Sequence, residues 1–210
     1  MDEHKDWAVM RELVARGLMT DPDSARGKVL QVAAHLFRHK GYERTTVRDL
    51  AAAAGIQSGS LFHHFRSKDE ILSSVMEQTA IYNTELMRVA LARTQDVRER
   101  VLALIRCELQ SIMGGTGEAM AVMIYEWRSL SPQEQAKILV LREAYEQLWL
   151  QVLGEARDSG LLQGDVFVTR RFLTGALSWS TTWFRADGSM TLEQLADQAL
   201  LLLLKDRGRE

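Results

Sequence analysis

Pro22 and Pro132 are the only prolines in 210 residues, and almost no stretch alternates β-branched with polar residues. A chain without strand periodicity and without helix breakers has one way to bury its apolar side chains: as helices whose faces repeat every 3.6 residues. The pattern predicts helices near 5–17, 26–40, 47–54, 58–64, 68–93, 97–113, 118–129, 132–158, 165–186 and 192–206, an all-α protein. With 46% hydrophobic residues the chain is long enough to bury real cores.

Glycines punctuate this pattern. Gly41, Gly55, the run 114–117, Gly160 and Gly188 are expected to end helices in the left-handed region. Starts are marked by a hydroxyl three residues before Glu or Gln: Ser67 with Glu70, Ser131 with Glu134, Thr191 with Gln194. The "GGTG" at 114–117 follows no strand and lacks the Lys of a phosphate loop, so it reads as a connection.

Residues 1–25 form a separate extension. Trp7, Met10, Val14 and Leu18 share one side of a helical wheel, with Lys5, Arg11 and Arg16 elsewhere; the segment is either a loose leader or a docked helix, and Met19 offers an alternative start.

Residues 26–72 are the informative part. Val29, Leu30, Ala33, Leu36 and Phe37 give a first helix one apolar face. Thr46 caps the short "VRDLAAAA", Gly55 turns the chain, and Ile56 anchors the turn. A short helix, a glycine turn and a second helix are the spacing of a helix-turn-helix, whose second helix presents its N-terminal residues to base edges.

In "GIQSGSLFHHFRSKD" the predicted inward residues are Leu61 and Phe65, which leaves Gln57, Ser58, Ser60 and His63 outward. Gln suits adenine, Ser a base or a phosphate, and Gly59 permits close backbone approach. Arg44, Thr46, Arg48, His64 and Lys68 are expected on the sugar-phosphate backbone. Between 26 and 70 eight basic residues face four acidic ones, a local charge of +4 in a chain of −2, so the remainder carries −6. A basic head on an acidic body suits contact with DNA at one end.

The block "KVLQVAAHLFRHKGYERTTVRDLAAAAGIQSGSLFHHFRSKDEIL" resembles the N-terminal DNA-binding domain of the TetR family of bacterial transcriptional regulators. Phe62 departs from the pattern, replacing a Tyr whose hydroxyl donates to phosphate. Gln57 stands where Ser or Thr often caps, so either Ser58 takes over the capping or Gln57 reads a base.

Residues 73–210 resemble the family's larger helical ligand-binding and dimerisation domain. "YEWRSLSPQEQAKILVLREAYEQLW" and "RRFLTGALSWSTTWFRADGSMTLEQLADQALLLLL" are similar to the branch that senses acyl-CoA thioesters and controls lipid, sterol or aromatic-acid breakdown. Met113, Met120, Met123, Ile124, Trp127, Trp149, Phe172, Trp179 and Trp183 offer bulky, adaptable apolar surface for such an effector, each also suited to plain core packing. Arg128, Arg142, Arg170, Arg171 and Arg185 flank them and suit an anionic head group.

One recognition helix reads few base pairs. A palindromic double-stranded operator therefore implies a homodimer reading half-sites about 34–36 Å apart or a multiple of that, with the interface expected over 165–206 and the Leu200 to Leu204 run buried in it.

These readings make the chain a cytoplasmic, ligand-responsive repressor, without cofactor and without enzymatic chemistry; a drug-sensing regulator of an efflux pump is the nearest alternative. A helical enzyme or acyl-carrier module with a chance helix-turn-helix is the alternative from another class, but no nucleophile with its base and no paired carboxylates appear. Cys107, alone in an apolar stretch, reads as a small buried hydrophobe. His35 and His39 have the i, i+4 spacing of metal ligands, with no third ligand nearby in sequence, so no metal is expected. No apolar run is long enough to span a membrane.

Overall fold

A computed structural model describes residues 3–205, with side chains from Trp7 onward. Lys5, expected away from the apolar side of the extension, lies outside the described side chains. The helices are α1 (Glu3–Ala15), α2 (Ala25–Lys40), α3 (Val47–Ala53), α4 (Ser58–Leu61), α5 (Lys68–Leu91), α6 (Val97–Met113), α7 (Gly117–Tyr125), α8 (Pro132–Asp158), α9 (Val166–Trp179) and α10 (Leu192–Leu203), with 3-10 turns at Trp127–Ser129 and Ser180–Thr182. No strand occurs among the described residues. Among them no helix is long and apolar enough to cross a membrane.

The chain forms two compact units, neither a single stretch of sequence. Of the described residues, the first comprises 3–82 together with 116–142, and the second 83–115 together with 143–205. Helices α5 and α8 each contribute residues to both.

The core of the first unit is built from the faces the periodicity marks: Val29, Ala33 and Phe37 of α2, Leu50 and Ala51 of α3, Leu61, Phe65, and Ile71, Leu72 and Met76 of α5. Val122 and Met123 of α7 and Ile138 of α8 complete it.

The extension is a docked helix, and the face it buries differs from the expected one. Val9 and Leu13 are buried, whereas Trp7 is 54% and Leu18 42% exposed. The reason lies at the helix end. Leu18 N–H donates to Leu13 O at 2.9 Å and Gly17 N–H to Val14 O at 2.9 Å, with Gly17 at φ +69°, a paired cap that turns the chain back over Leu13 and carries Leu18 away from it. Thr20 then exchanges two hydrogen bonds with Gln78 of α5, at 3.2 and 2.8 Å.

The second unit packs Leu104, Ile105 and Leu109 of α6, Trp149, Val152 and Leu153 of α8, Leu173 and Leu177 of α9, and Leu195, Ala196 and Leu200 of α10. Cys107 is buried among them. The predicted helix 165–186 ends early, at Trp179. Its serine and threonine hydroxyls donate back to carbonyls three residues earlier, Thr181 to Ser178 and Thr182 to Trp179, each at 2.8 Å, and so tighten the last turn. The glycine stops also divide. Gly41, Gly55 and Gly160 adopt positive φ, while Gly114 stands at −91° and Gly188 is not among the positive-φ residues.

Candidate nucleic-acid interface

Thr46 opens α3 with a reciprocal cap: Asp49 N–H donates to Thr46 Oγ1 at 3.2 Å, and Thr46 N–H donates to Asp49 Oδ2 at 2.7 Å. Lys40 Nζ meets the same carboxylate at 2.6 Å. The hydrogen bond from Lys40, followed by those from Thr46, holds Asp49 far below the usual carboxylate range. Thr46 Oγ1 also donates to Asp49, so its hydroxyl is engaged in capping.

Helix α3 ends in a second paired cap. Ile56 N–H donates to Ala51 O at 2.9 Å and Gly55 N–H to Ala52 O at 3.1 Å, with Gly55 at φ +70°. This geometry needs a residue without a Cβ penalty, and it aims the chain into α4. Ile56 packs on the core.

Helix α4 is shorter than the expected 58–64. After Leu61 the chain tightens: His63 N–H donates to Ser60 O and His64 N–H to Leu61 O, three residues back. Ser58 does not take over the capping, since Gln57 occupies the N-cap position, without a side-chain cap bond, and Ser58 is the first helical residue. Leu61 is wholly buried and Phe65 1% exposed. Gln57, Gly59, Phe62 and His63 are exposed, and Ser58, Ser60 and His64 half-buried. A Cβ built on Gly59 would meet nothing within 4 Å, so nothing inside the chain demands glycine there.

Arg26 fixes the far end of this segment. Its guanidinium lies 4.0 Å from the centre of the Phe65 ring, donates to His64 O, and reaches Glu70 at 3.6 Å. Lys68, expected on phosphate, is largely committed inside: Nζ donates to Tyr42 O at 2.9 Å and Thr45 O at 3.1 Å and sits over the Tyr42 ring. Tyr42 donates to Asp69, and its hydroxyl is pushed above the ordinary range by burial first and by Asp69 second. Arg26 and Tyr42 brace the ends of the segment 57–69, and neither contact is marked in the sequence because the partners lie 38 and 27 residues away. Arg44 and Arg48 are exposed.

The ten expected effector residues are divided between the two units. Met120, Met123, Ile124, Trp127 and Arg128 belong to the first unit and Met113, Trp149, Phe172, Trp179 and Trp183 to the second. Met120, Met123 and Trp127 pack on the first core, while Ile124 and Arg128 are exposed. Met113 lines an open cleft of about 510 Å³ with Ile112, Phe184 and Leu192. Trp149 is fully buried, whereas Phe172, Trp179 and Trp183 are 77%, 68% and 54% exposed.

Arg170, expected at a pocket mouth, is instead buried in the second unit. Glu108 accepts from Tyr145 Oη at 2.5 Å, Trp149 Nε1 at 3.0 Å and Arg170 Nη2 at 3.4 Å, and Arg170 Nε meets Glu146 at 3.2 Å. Burial first, then Glu108, raises the Tyr145 hydroxyl well above its ordinary value. Arg128, Arg142, Arg171 and Arg185 are exposed.

Comparison with known proteins agrees with this construction. Residues 29–75 match the model of bacterial regulatory proteins of the tetR family, and residues 94–206 that of the tetracyclin repressor-like C-terminal domain. The HTH-type transcriptional repressor KstR2 of Rhodococcus jostii (strain RHA1) is 32% identical over 85% of this chain and 89% of its own. Two solved structures are similar over nearly their full length. The superantigen pfit is 69% identical with a TM-score of 0.85, over 95% of this chain and 99% of that one. AibR in complex with isovaleryl coenzyme A and operator DNA is 25% identical with a TM-score of 0.77, over 86% and 98%. With both halves matched, and with a capped α3, a glycine turn and an outward polar segment at Gln57, the chain belongs to the TetR family of bacterial regulatory proteins.

Proposed function

We propose that the protein is a cytoplasmic, ligand-responsive transcriptional repressor, not an enzyme, that binds a palindromic DNA operator as a homodimer and leaves it when an acyl-CoA thioester binds. The observation that carries this reading is the segment 57–65. Its apolar residues Leu61 and Phe65 are locked in the core, while Gln57, Gly59 and His63 face solvent. In this reading Gln57, Ser58, Ser60 and His63 meet base edges, and Gly59 admits the close approach that the chain itself does not require. Arg44, Arg48 and His64 hold phosphates, Thr46 serving instead to cap α3; Phe62, 55% exposed, lies against the backbone without a hydroxyl to donate.

The thioester class is supported by the isovaleryl coenzyme A bound to AibR, and the repressor role by the KstR2 relative. Helix α5 is shared by both units and gives a continuous covalent route from effector to reading segment. Release requires that the effector bind the conformation without DNA more tightly, about 1.4 kcal/mol for each tenfold loss of operator affinity. The dimer is supported by an apolar stripe on α9, formed by Val168, Phe172 and Trp179.

A gel-shift titration on the DNA upstream of the protein's own gene tests the reading, with acyl-CoAs, free acids and cationic dyes as competing effectors. Release by acyl-CoA alone is expected. Release by dyes alone would move the protein to the efflux-pump reading, and no specific DNA complex at low salt would refute the regulator. The 69% identity to the superantigen pfit favours a second reading, superantigen activity, tested by T-cell stimulation with the purified protein.

A further inference from the structure

His35 and His39 lie one turn apart on α2, and the fold supplies the third group that the local sequence lacks. Glu118, 79 residues beyond His39, enters on the first turn of α7. Its Oε1 sits 2.9 Å from His35 Nδ1 and 3.0 Å from His39 Nε2. The three ligand atoms lie within 4.8 Å of one another, and the two rings are 4.5 Å apart, tilted by 47°. All three residues belong to the first unit.

We propose that His35, His39 and Glu118 form a binding site for a transition-metal dication of the zinc class, which ties α2 to α7. Two imidazole nitrogens and one carboxylate oxygen are a set that such ions accept, with water as the fourth ligand. Magnesium and calcium, which take oxygen ligands, do not suit it. At metal–ligand bonds of about 2.0–2.2 Å a tetrahedral ion holds its ligands about 3.3 Å apart. The present 2.9 and 3.0 Å separations need to open by a few tenths of an ångström, and the two imidazole nitrogens, which lie within 4.8 Å of one another, to draw together toward the same spacing.

The side chains are 60%, 59% and 45% exposed, so an ion reaches them without opening the core, and side-chain rotation alone can make the adjustment. The same exposure leaves the fourth position to water. Helix α2 carries Val29, Ala33 and Phe37 of the core on which the reading segment rests, and α7 carries Val122 and Met123 of the same core. An ion bridging them stabilises this unit by mass action, by an amount that rises with the logarithm of its free concentration over its dissociation constant. The site does not depend on the operator or effector assignments.

The test uses the full-length chain without a histidine tag, stripped with EDTA and desalted. Zinc chloride is titrated by calorimetry, with cobalt(II) absorption as a second readout. The expected result is one zinc per chain with a dissociation constant of about 10 μM or tighter, a raised melting temperature with zinc, and no response to magnesium. His39→Ala and Glu118→Ala should each weaken zinc binding at least about tenfold, while their metal-free melting matches the parent because neither residue is in the core. Zinc affinity weaker than about 100 μM, or affinity unchanged in both variants, would overturn the proposal.

Discussion

Replacing Arg170 by Met would leave Glu108 without its cationic partner inside the second unit. The two side chains are only 3% and 7% exposed and stand 3.4 Å apart. At an effective dielectric constant of about 20, that separation corresponds to a gross attraction of about 5 kcal/mol. Much of it is offset by the cost of desolvating both charges, so the pair itself adds little net stability. Removing one partner is different, because the desolvation of the other is no longer repaid: breaking a buried pair costs about 3–5 kcal/mol. At about 2–4 °C per kcal/mol for a chain of this length, Arg170→Met should melt about 6–20 °C below the parent at equal protein concentration.

The double variant Glu108→Gln with Arg170→Met separates charge from packing. Gln keeps an oxygen for the Tyr145 hydroxyl and the Trp149 N–H, at 2.5 and 3.0 Å in the parent, but carries no charge to strand. It should recover at least about 1.5 kcal/mol relative to the sum of the single variants, read as a double-mutant cycle in urea. If Arg170→Met melts within about 2 °C of the parent, or the cycle shows no coupling, the buried charges are not what that variant disturbs.

Three further outcomes follow from the first unit. Leu61→Ala, at a wholly buried position, should cost about 2–5 kcal/mol in urea denaturation and abolish specific operator binding, because the reading segment loses its anchor. Operator affinity should fall steeply with salt. Arg44→Ala should lower the slope of log affinity against log salt by about 1 per operator contact removed and weaken random DNA equally, whereas Gln57→Ala should relax base preference with little change on random DNA. Asp49 is depressed in the folded state; its stabilising contribution is complete above about pH 5 and is lost as pH falls from there through the folded value. Asp49→Asn should flatten the acid limb of the melting curve, measured by circular dichroism between pH 2 and 6.

What the sequence made legible was local. The caps at Thr46 and Thr191 each close within three residues, so a hydroxyl and its partner announce them. Leu61 and Phe65 are one helical turn apart, and their inward direction follows from the period alone. The pairs that shape the site are not local. Arg26 reaches His64 across 38 residues, Lys68 reaches Tyr42 across 26, and Glu118 reaches His35 across 83. A charge read from sequence is a solvated charge until a fold gives it a partner, which is why Lys68 and Arg170 were expected on outside anions and are held by internal acceptors instead.

The large apolar side chains of the second unit show the same limit. Trp149 and Trp179 are indistinguishable by residue type, yet one is wholly buried and the other 68% exposed. On α9, Leu173 and Leu177 face the core together with Arg170, and Val168, Phe172 and Trp179 form a second stripe at spacings of four and seven residues. Leu200 and Leu204 of the expected interface run are buried within one chain, whereas Leu201 is 52% and Leu202 91% exposed, so that run divides its burial in the same way. Exposed aromatic rings such as Phe172 and Trp179 carry about 150–250 Å² each, worth several kcal/mol per protomer at about 25 cal/mol/Å² once covered. In the proposed dimer a second copy of the same stripe would cover it through a two-fold axis. Two outward segments 57–65 related by such an axis would also match a palindromic operator, so in that dimer one surface would serve both folding stability and recognition.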